Sequence, residues 1–181
     1  KILKTENEDY VIASDTDSIY LNLGPLVEVV YKDREKDGSG ICTFLNKVCE
    51  VEFEKYIESS YETLAKYVNA YDNKMVMKRE NIADRGIWTA KKRYILNVWD
   101  SEGVRYEEPK LKMMGIEAVK SSTPAPCRTM IKDALKIMMN GTEDEVIDYI
   151  DACRKEFKTL PPEDIALSLI HISEPTRHCL I

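Results

Sequence analysis

Histidine is almost missing from this sequence of 181 residues, and the two that occur, His171 and His178, lie close to its end. Acid–base or nucleophilic chemistry that uses an imidazole is therefore excluded for the rest of the chain. The five cysteines form no C-x-x-C pair and are odd in number, which argues against a zinc site and against a disulfide framework. Any catalysis must then use carboxylates, lysines or a metal that carboxylates hold.

Long apolar runs are missing as well. No stretch of about 18 apolar residues occurs, and no apolar segment follows a basic start, so we expect neither a membrane span nor a signal peptide. Hydrophobic residues still make up 44% of the chain, which is enough for one ordinary core. These features predict a soluble, cytoplasmic globular protein with reduced cysteines.

The formal net charge is −6, which on its own counts against nucleic-acid binding, because Lys and Arg supply most non-specific affinity for phosphates. The charge is unevenly distributed, however. Basic residues recur over residues 74–120, whereas acidic residues concentrate at 50–62 and 143–151. This pattern predicts a basic stripe on an acidic body.

The first half of the sequence predicts a β-hairpin followed by a long helix. Apolar or β-branched residues at 10–13 and 18–23 lie on either side of Asp15-Thr16-Asp17, which is typical of two strands joined by a tight turn. After a loop predicted at residues 32–40, apolar residues from Leu45 to Tyr71 recur every three or four positions. We expect this helix to pack on a sheet.

The second half predicts further strands and then a helical hairpin. Short β-type runs, which we expect to extend the same antiparallel sheet, lie at residues 75–77, 87–89, 94–99 and 104–106. Thr123-Pro124 begins a helix that ends at Asn140-Gly141, and Thr142 with Glu145 forms a capping box for a second one. The predicted fold class is α+β, an antiparallel sheet with a packing helix followed by a helical hairpin, with a boundary near residues 120–123.

The clearest chemical feature is the pair of aspartates at the hairpin tip, Asp15 and Asp17. Two carboxylates held close together repel each other unless a cation lies beside them, and Mg²⁺ prefers such oxygen ligands. A solvated turn is an equal alternative, since Asp is a favoured turn residue. A phosphatase-type D-x-D loop is a third reading, but it requires a helix after the first strand and a parallel sheet.

A second candidate is the run Lys91-Lys92-Arg93-Tyr94 at the start of a predicted strand. Successive side chains of a strand take opposite faces, so the three cations cannot all point into solvent. At least one therefore needs an anionic side chain or a phosphate as its partner. The alternative is an edge strand that lysines protect against aggregation.

These two motifs resemble those of one protein family. Asp15-Thr16-Asp17-Ser18 is similar to motif C of the B-family DNA polymerases, and residues 91–94 are similar to their K-K-R-Y motif, in the same order and at similar separation. The flanking stretches at residues 75–80 and 108–124 resemble the T-even phage branch. The resemblance runs over about residues 1–166.

The resemblance implies a DNA-directed DNA polymerase in which residues 1–121 are the C-terminal part of the palm and 122–166 the start of the thumb. Asp17 would ligate two catalytic Mg²⁺ ions, with Asp15 in support and Glu80 as a further acidic residue near the metals. The DNA-binding motif, whose cations would hold the primer strand, consists of Lys91, Lys92, Arg93 and Tyr94. The implied partners are primer–template DNA, deoxynucleoside triphosphates and a sliding clamp bound through regions outside this chain.

Two further family motifs, D-x-x-S-L-Y-P-S and K-x-x-x-N-x-x-Y-G, do not occur in this sequence. We expect them to precede Lys1, so that this chain is a fragment without activity of its own. A non-catalytic DNA-binding or scaffold module derived from a polymerase is the alternative, although the retained Asp15, Asp17, Lys92 and Tyr94 argue against it. Residues 167–181 resemble translated foreign sequence, and we expect them to be a non-native tail.

Overall fold

The computed structural model describes residues 9–32 and 37–166, and these residues form two compact units. The first contains the described residues up to Asp84 together with Val98–Lys110, and the second contains Arg85–Asn97 and the described residues from Leu111 onward. The predicted α+β class is confirmed, because an antiparallel three-stranded sheet occurs together with helices. The predicted tail at 167–181 lies outside the described residues, and the palm and thumb assignments stay predictions.

The predicted hairpin is present at the beginning of the first unit. Strands β1 (Val11–Asp15) and β2 (Ser18–Leu21) pair antiparallel across a two-residue turn. The Asn22 amide donates to the carbonyl of Tyr10 over 2.7 Å and so closes the open end of the hairpin. The expectation that later strands join the same sheet is wrong: β1 and β2 form a separate two-stranded sheet.

Three helices follow the hairpin. They are α1 (Gly24–Val30), α2 (Gly38–Val48) and α3 (Lys55–Tyr67), with a π-helical segment, Cys49–Glu54, between the last two. Helix α2 begins inside the predicted loop, because the Asp37 carboxylate accepts hydrogen bonds from the amides of Ser39 (3.3 Å) and Gly40 (3.0 Å). The predicted packing face is wrong at its C-terminal end, where Leu64, Val68 and Tyr71 are exposed.

The three-stranded sheet has β4 (Arg93–Ser101) in its centre, between β3 (Asn81–Ala90) and β5 (Val104–Met114). Four consecutive β4 residues, 95–98, are buried, as expected for a central strand covered on both faces. The central position also contradicts the edge-strand alternative for Arg93 and Tyr94, whereas Lys91 and Lys92 lie in the turn before β4 and not in the predicted strand. The strand predicted at residues 75–77 is absent from the described structure, where this segment is irregular.

Buried charges lie in the first unit, where Asp100 is 2% exposed and pairs with Arg79. The Arg79 Nε also donates to Asn46 over 3.0 Å, and Arg105 Nε lies 3.8 Å from the second oxygen of Asp100. A buried carboxylate needs such partners, because an unpaired charge in the interior is strongly destabilising. Desolvation in the same unit raises the pKa of the Cys42 thiol above its ordinary value.

The second unit combines strand residues with three helices, α4 (Ala125–Asn140), α5 (Glu143–Phe157) and α6 (Pro162–Ile165). Its core consists of four buried residues, Ile95, Ile116, Ala118 and Met139. The Arg85 guanidinium donates to the backbone carbonyl of Met139, which satisfies one of the carbonyls left free at the end of α4. This unit therefore has a core of its own.

The helix signals in the second unit are largely confirmed. The Thr142 hydroxyl accepts from the Glu145 amide over 3.4 Å, and the Glu145 carboxylate accepts from the Thr142 amide over 3.1 Å, which makes the predicted capping box. Helix α4 begins one residue later than predicted, with Pro124 rather than Thr123 as its N-cap. None of the helices in the described ranges is long and apolar enough to cross a membrane.

Candidate metal and nucleic-acid sites

The tip of the β1–β2 hairpin carries one half-buried and one exposed carboxylate. Asp15 ends β1, and its Oδ1 accepts a hydrogen bond from the Thr16 hydroxyl over 3.2 Å, while its carbonyl accepts one from the Ser18 hydroxyl over 3.1 Å. Thr16 has a φ of 48°, in the left-handed region, which allows the chain to reverse within two residues. Asp17 is exposed and makes no hydrogen bond or ion pair with a described residue.

The donor set of this turn fits a hard cation. Mg²⁺ is typically bound through one or two carboxylates, and water or substrate phosphates complete its coordination. Asp17 supplies a carboxylate with no competing partner among residues 9–32 and 37–166, and Asp15 supplies a second one, which accepts a hydrogen bond within the turn. Asp15 and Asp17 thus offer two carboxylates of the kind that such a site uses.

Glu80, the third predicted metal ligand, lies directly before β3. Its side chain is exposed, and its backbone carbonyl accepts a hydrogen bond from the Glu102 amide over 2.7 Å. Within residues 9–32 and 37–166, no group of three or more His, Cys, Asp or Glu side chains is arranged to hold a metal ion. The described structure thus brings Asp15 and Asp17 together but does not gather Glu80 with them into such a group.

Lys91 and Lys92 form the two-residue turn between β3 and β4, and Arg93 and Tyr94 begin β4. Lys92 has a φ of 61°, which a non-glycine residue adopts at a cost. Both lysines are exposed, and neither makes an ion pair or hydrogen bond with another described residue. The turn therefore presents two ammonium groups to solvent.

Arg93 has the anionic partner that the sequence predicts for at least one of the three cations. Its Nη2 lies 2.6 Å from both carboxylate oxygens of Glu117, and the Nζ of Lys120 lies 3.0 Å from Glu117 Oε1. The hydrogen bond from Lys120, together with the charge of Arg93, lowers the pKa of Glu117 below its ordinary value. The carboxylate is therefore ionised at neutral pH.

Two residues near this turn, Gly115 and Glu117, have a role that the sequence did not predict. Gly115 has a φ of 65°, and a Cβ built there would lie 3.1 Å from Cγ of Arg93 and closer still to the carbonyl oxygen of Lys92. Real Cβ atoms essentially never approach an oxygen so closely, so only glycine fits this position. The available signal was a glycine directly after a run of strand residues, a common site for a left-handed backbone.

No family model matches the chain, but its sequence is similar to that of curated DNA polymerases. It is 34% identical over 174 residues to the DNA-directed DNA polymerase of Enterobacteria phage T4, a match that covers 92% of this chain and 19% of the relative. It is 38% identical over 151 residues to the DNA-directed DNA polymerase of Escherichia phage RB69, a match that covers 79% of this chain and 17% of the relative.

These matches identify the chain as a homologue of one segment of DNA-directed DNA polymerases. The segment is of the T4-like phage type, so the resemblance predicted from the two motifs is confirmed. The chain spans about a fifth of the length of the curated relatives it matches, 19% and 17%.

Proposed function

We propose that this chain contributes the acidic hairpin and the cationic turn to a phage DNA-directed DNA polymerase of the B family. The observation that carries the proposal is the 34% identity to the phage T4 enzyme over 92% of the chain. In this proposal residues 1–121 belong to the palm and 122–166 to the thumb. The enzyme would act in the cytoplasm of the infected cell.

Asp17 and Asp15 would hold Mg²⁺, with Glu80 as a further acidic residue near it. The exposed Asp17 carboxylate has no partner among the described residues, so it would hold a cation without breaking another described contact. Asp15, whose carboxylate accepts a hydrogen bond from Thr16, supports the turn. When bound, the metal would activate the 3′-hydroxyl as a nucleophile and neutralise charge on the triphosphate of the incoming nucleotide.

The Lys91–Tyr94 segment would meet the primer–template duplex. Ammonium groups on a tight turn attract phosphates without reading the base sequence, which is what a replicative enzyme requires. Arg93 and Tyr94 begin the central strand, so their backbone position is fixed by pairing on both sides. Contacts with a sliding clamp would involve regions outside this chain.

The isolated chain should bind duplex DNA but should not extend a primer. Nucleotidyl transfer by two metals needs ligands on both sides of the ions, and the described residues hold no cluster of three or more acidic, His or Cys side chains for a metal. A polymerase-derived DNA-binding or scaffold module would behave identically in this assay. The two functions must therefore be separated in a complete polymerase.

The test is to replace the matched segment of the phage T4 polymerase by residues 9–166 of this chain. We expect the chimera to extend a primer, and we expect Asp17→Asn in the chimera to abolish extension while primer–template affinity stays within about 2-fold. The thermal unfolding of the chimera should first be shown to resemble that of the parent. A folded chimera that binds primer–template but extends no primer would instead favour the scaffold module.

A further inference from the structure

We infer that Gly115 and Glu117 are positioning residues that hold the Lys91–Lys92 turn in the conformation that receives DNA, and that Arg93 acts through Glu117. The inference rests on the proposed DNA-binding function of this turn. It assigns a role to a short segment directly after β5 and separates the three cations into two classes. Lys91 and Lys92 contact the duplex, whereas Arg93 anchors the turn.

The first contact is between backbones. Lys92 lies in the left-handed region with a φ of 61°, and its carbonyl faces the position where a side chain on residue 115 would begin. Gly115 leaves this space open, and its own φ of 65° suits glycine. The strained turn therefore keeps its shape only if residue 115 has no side chain.

The second contact is the ion pair between Arg93, one residue after Lys92, and Glu117, two residues after Gly115. Arg93 directs one guanidinium nitrogen to both oxygens of Glu117, each at 2.6 Å. The Nε of Arg93 is buried and has no hydrogen-bond partner among the described residues, so this part of the guanidinium lies against protein although the side chain as a whole is 41% exposed. Gly115 and Glu117 thus lie against Lys92 and Arg93.

The negative charge of Glu117 allows an electrostatic role of this residue to be distinguished from a positioning role. The Arg93 and Glu117 side chains are 41% and 47% exposed, and exposed ion pairs contribute little to global stability. A carboxylate beside a phosphate-binding turn also repels DNA. A simple electrostatic role for Glu117 therefore predicts that its neutralisation tightens DNA binding, whereas a positioning role predicts the opposite sign.

The experiment compares Glu117→Gln with Asp151→Asn in the 181-residue chain, with binding to a primer–template duplex measured by fluorescence anisotropy. Asp151 is a matched control, because it pairs with Arg154 at 3.0 Å on an exposed helix surface and its loss changes the net charge equally. We expect Glu117→Gln to weaken DNA binding by about 3-fold. Asp151→Asn should leave the affinity unchanged or slightly higher.

The salt dependence of binding shows whether Arg93 anchors the turn or contacts a DNA phosphate directly. Because the lysines still contact the duplex, Glu117→Gln and Arg93→Gln should lower affinity while the slope of log K against log salt is kept. Glu117→Asp, which retains the carboxylate, should recover part of the affinity. A slope reduced by about one in Arg93→Gln would make Arg93 a phosphate contact and overturn the inference.

Gly115→Ala is the second variant. We expect it to lower DNA affinity at least as much as Glu117→Gln, because the added methyl group displaces the Lys92 carbonyl. If this variant does not fold, as judged by circular dichroism, the result rests on Glu117→Gln. Wild-type affinity in folded Gly115→Ala, or binding by Glu117→Gln as tight as wild type, contradicts the inference and leaves the proposed function intact.

Failure of the proposed function gives a different result. If the wild-type chain binds no duplex, the proposed binding of DNA by the Lys91–Lys92 turn is wrong. Amide hydrogen exchange at residues 91–94 then reports on the turn directly. Faster exchange in Glu117→Gln than in Asp151→Asn supports the positioning role, and equal exchange in the two variants overturns it.

Discussion

The two charged turns of this chain have the same length but place their left-handed residue differently, first in the acidic turn and second in the cationic turn, and they have very different support. Each joins two antiparallel strands through two residues, and each contains a residue in the left-handed region, Thr16 with a φ of 48° and Lys92 with a φ of 61°. The cationic turn extends from a central strand with a buried core residue, Ile95. The acidic turn extends from a sheet of only two strands.

Apolar side chains show the difference in packing. Ile12 and Ile19 of the acidic hairpin are each 49% exposed, whereas Ile95 behind the cationic turn is 3% exposed. An isolated two-stranded hairpin is only marginally stable in water, because it buries too little apolar surface to offset its loss of entropy. The cationic turn is thus supported by the buried core of the second unit. The described contacts of the acidic turn are local hydrogen bonds.

Asp17→Asn should have the largest effect of any change to these turns. In the polymerase chimera we expect primer extension to fall by about 1,000-fold or more, because the variant removes charge from the metal ligands. Asp72→Asn, which changes an exposed carboxylate outside both turns, serves as the control. Steady-state extension within about 10-fold of the unsubstituted chimera would show that Asp17 only shapes a solvated turn.

Alanine substitutions measure the difference in packing directly. Ile95→Ala should lower the free energy of unfolding by about 2–4 kcal/mol, because it leaves a cavity in a closed core. Ile12→Ala should lower it by less than about 1 kcal/mol, since the side chain is half exposed. Urea unfolding of the isolated chain gives both values, and equal losses would mean that the hairpin packs as tightly as the sheet.

Lys92→Ala should weaken duplex binding by about 5-fold and reduce the slope of log K against log salt by about one. The reason is the loss of one phosphate contact from a turn that otherwise keeps its shape. Lys66→Ala, on the exposed surface of α3, removes the same charge elsewhere. Equal salt slopes for Lys92→Ala and Lys66→Ala would indicate a general charge effect instead.

The smallest effect is expected from the pH dependence of the buried thiol in the first unit. Desolvation raises the pKa of Cys42 above its ordinary value of 9.0, so the unfolded thiol ionises before the folded one as the pH rises. The stability should be full below pH 9 and should decline as the pH rises through the folded pKa, by less than about 1 kcal/mol. Unfolding from pH 7.5 to 10 should show a weaker decline in Cys42→Ala than in wild type.

Local signals predicted local structure well, as Thr142 and Glu145 show, because a capping box lies within four residues. Local signals failed where contacts with distant residues determine the structure of a segment. Residues 75–77 have strand-like composition, yet they form no strand in the described structure, since pairing depends on partners that the segment does not specify. One local signal was missed as well, since helix α2 begins at Gly38, where the Asp37 carboxylate accepts hydrogen bonds from the amides of Ser39 and Gly40.

The candidate sites divide in the same way. Asp15, Asp17 and the lysines of the second turn are visible in the sequence because charge and turn chemistry are local. The pairing of Arg93 with Glu117 links residues 24 positions apart, and neither residue type signals the contact by itself. The space at Gly115 likewise depends on where β5 ends relative to the Lys92 carbonyl.

The interleaving of the two units bears on how such a sequence can be recombined. Residues 85–97 share a core with residues beyond 111, while the intervening 98–110 belong with the first unit. A genetic crossover between related phages anywhere from residue 98 to 110 would take Ile95 from one parent and Ile116 from the other. Exchanges that keep the core of the second unit from one parent must therefore transfer residues 85–141 as one block, which carries the cationic turn, Gly115 and Glu117 together but takes Asp100 away from its parental Arg79.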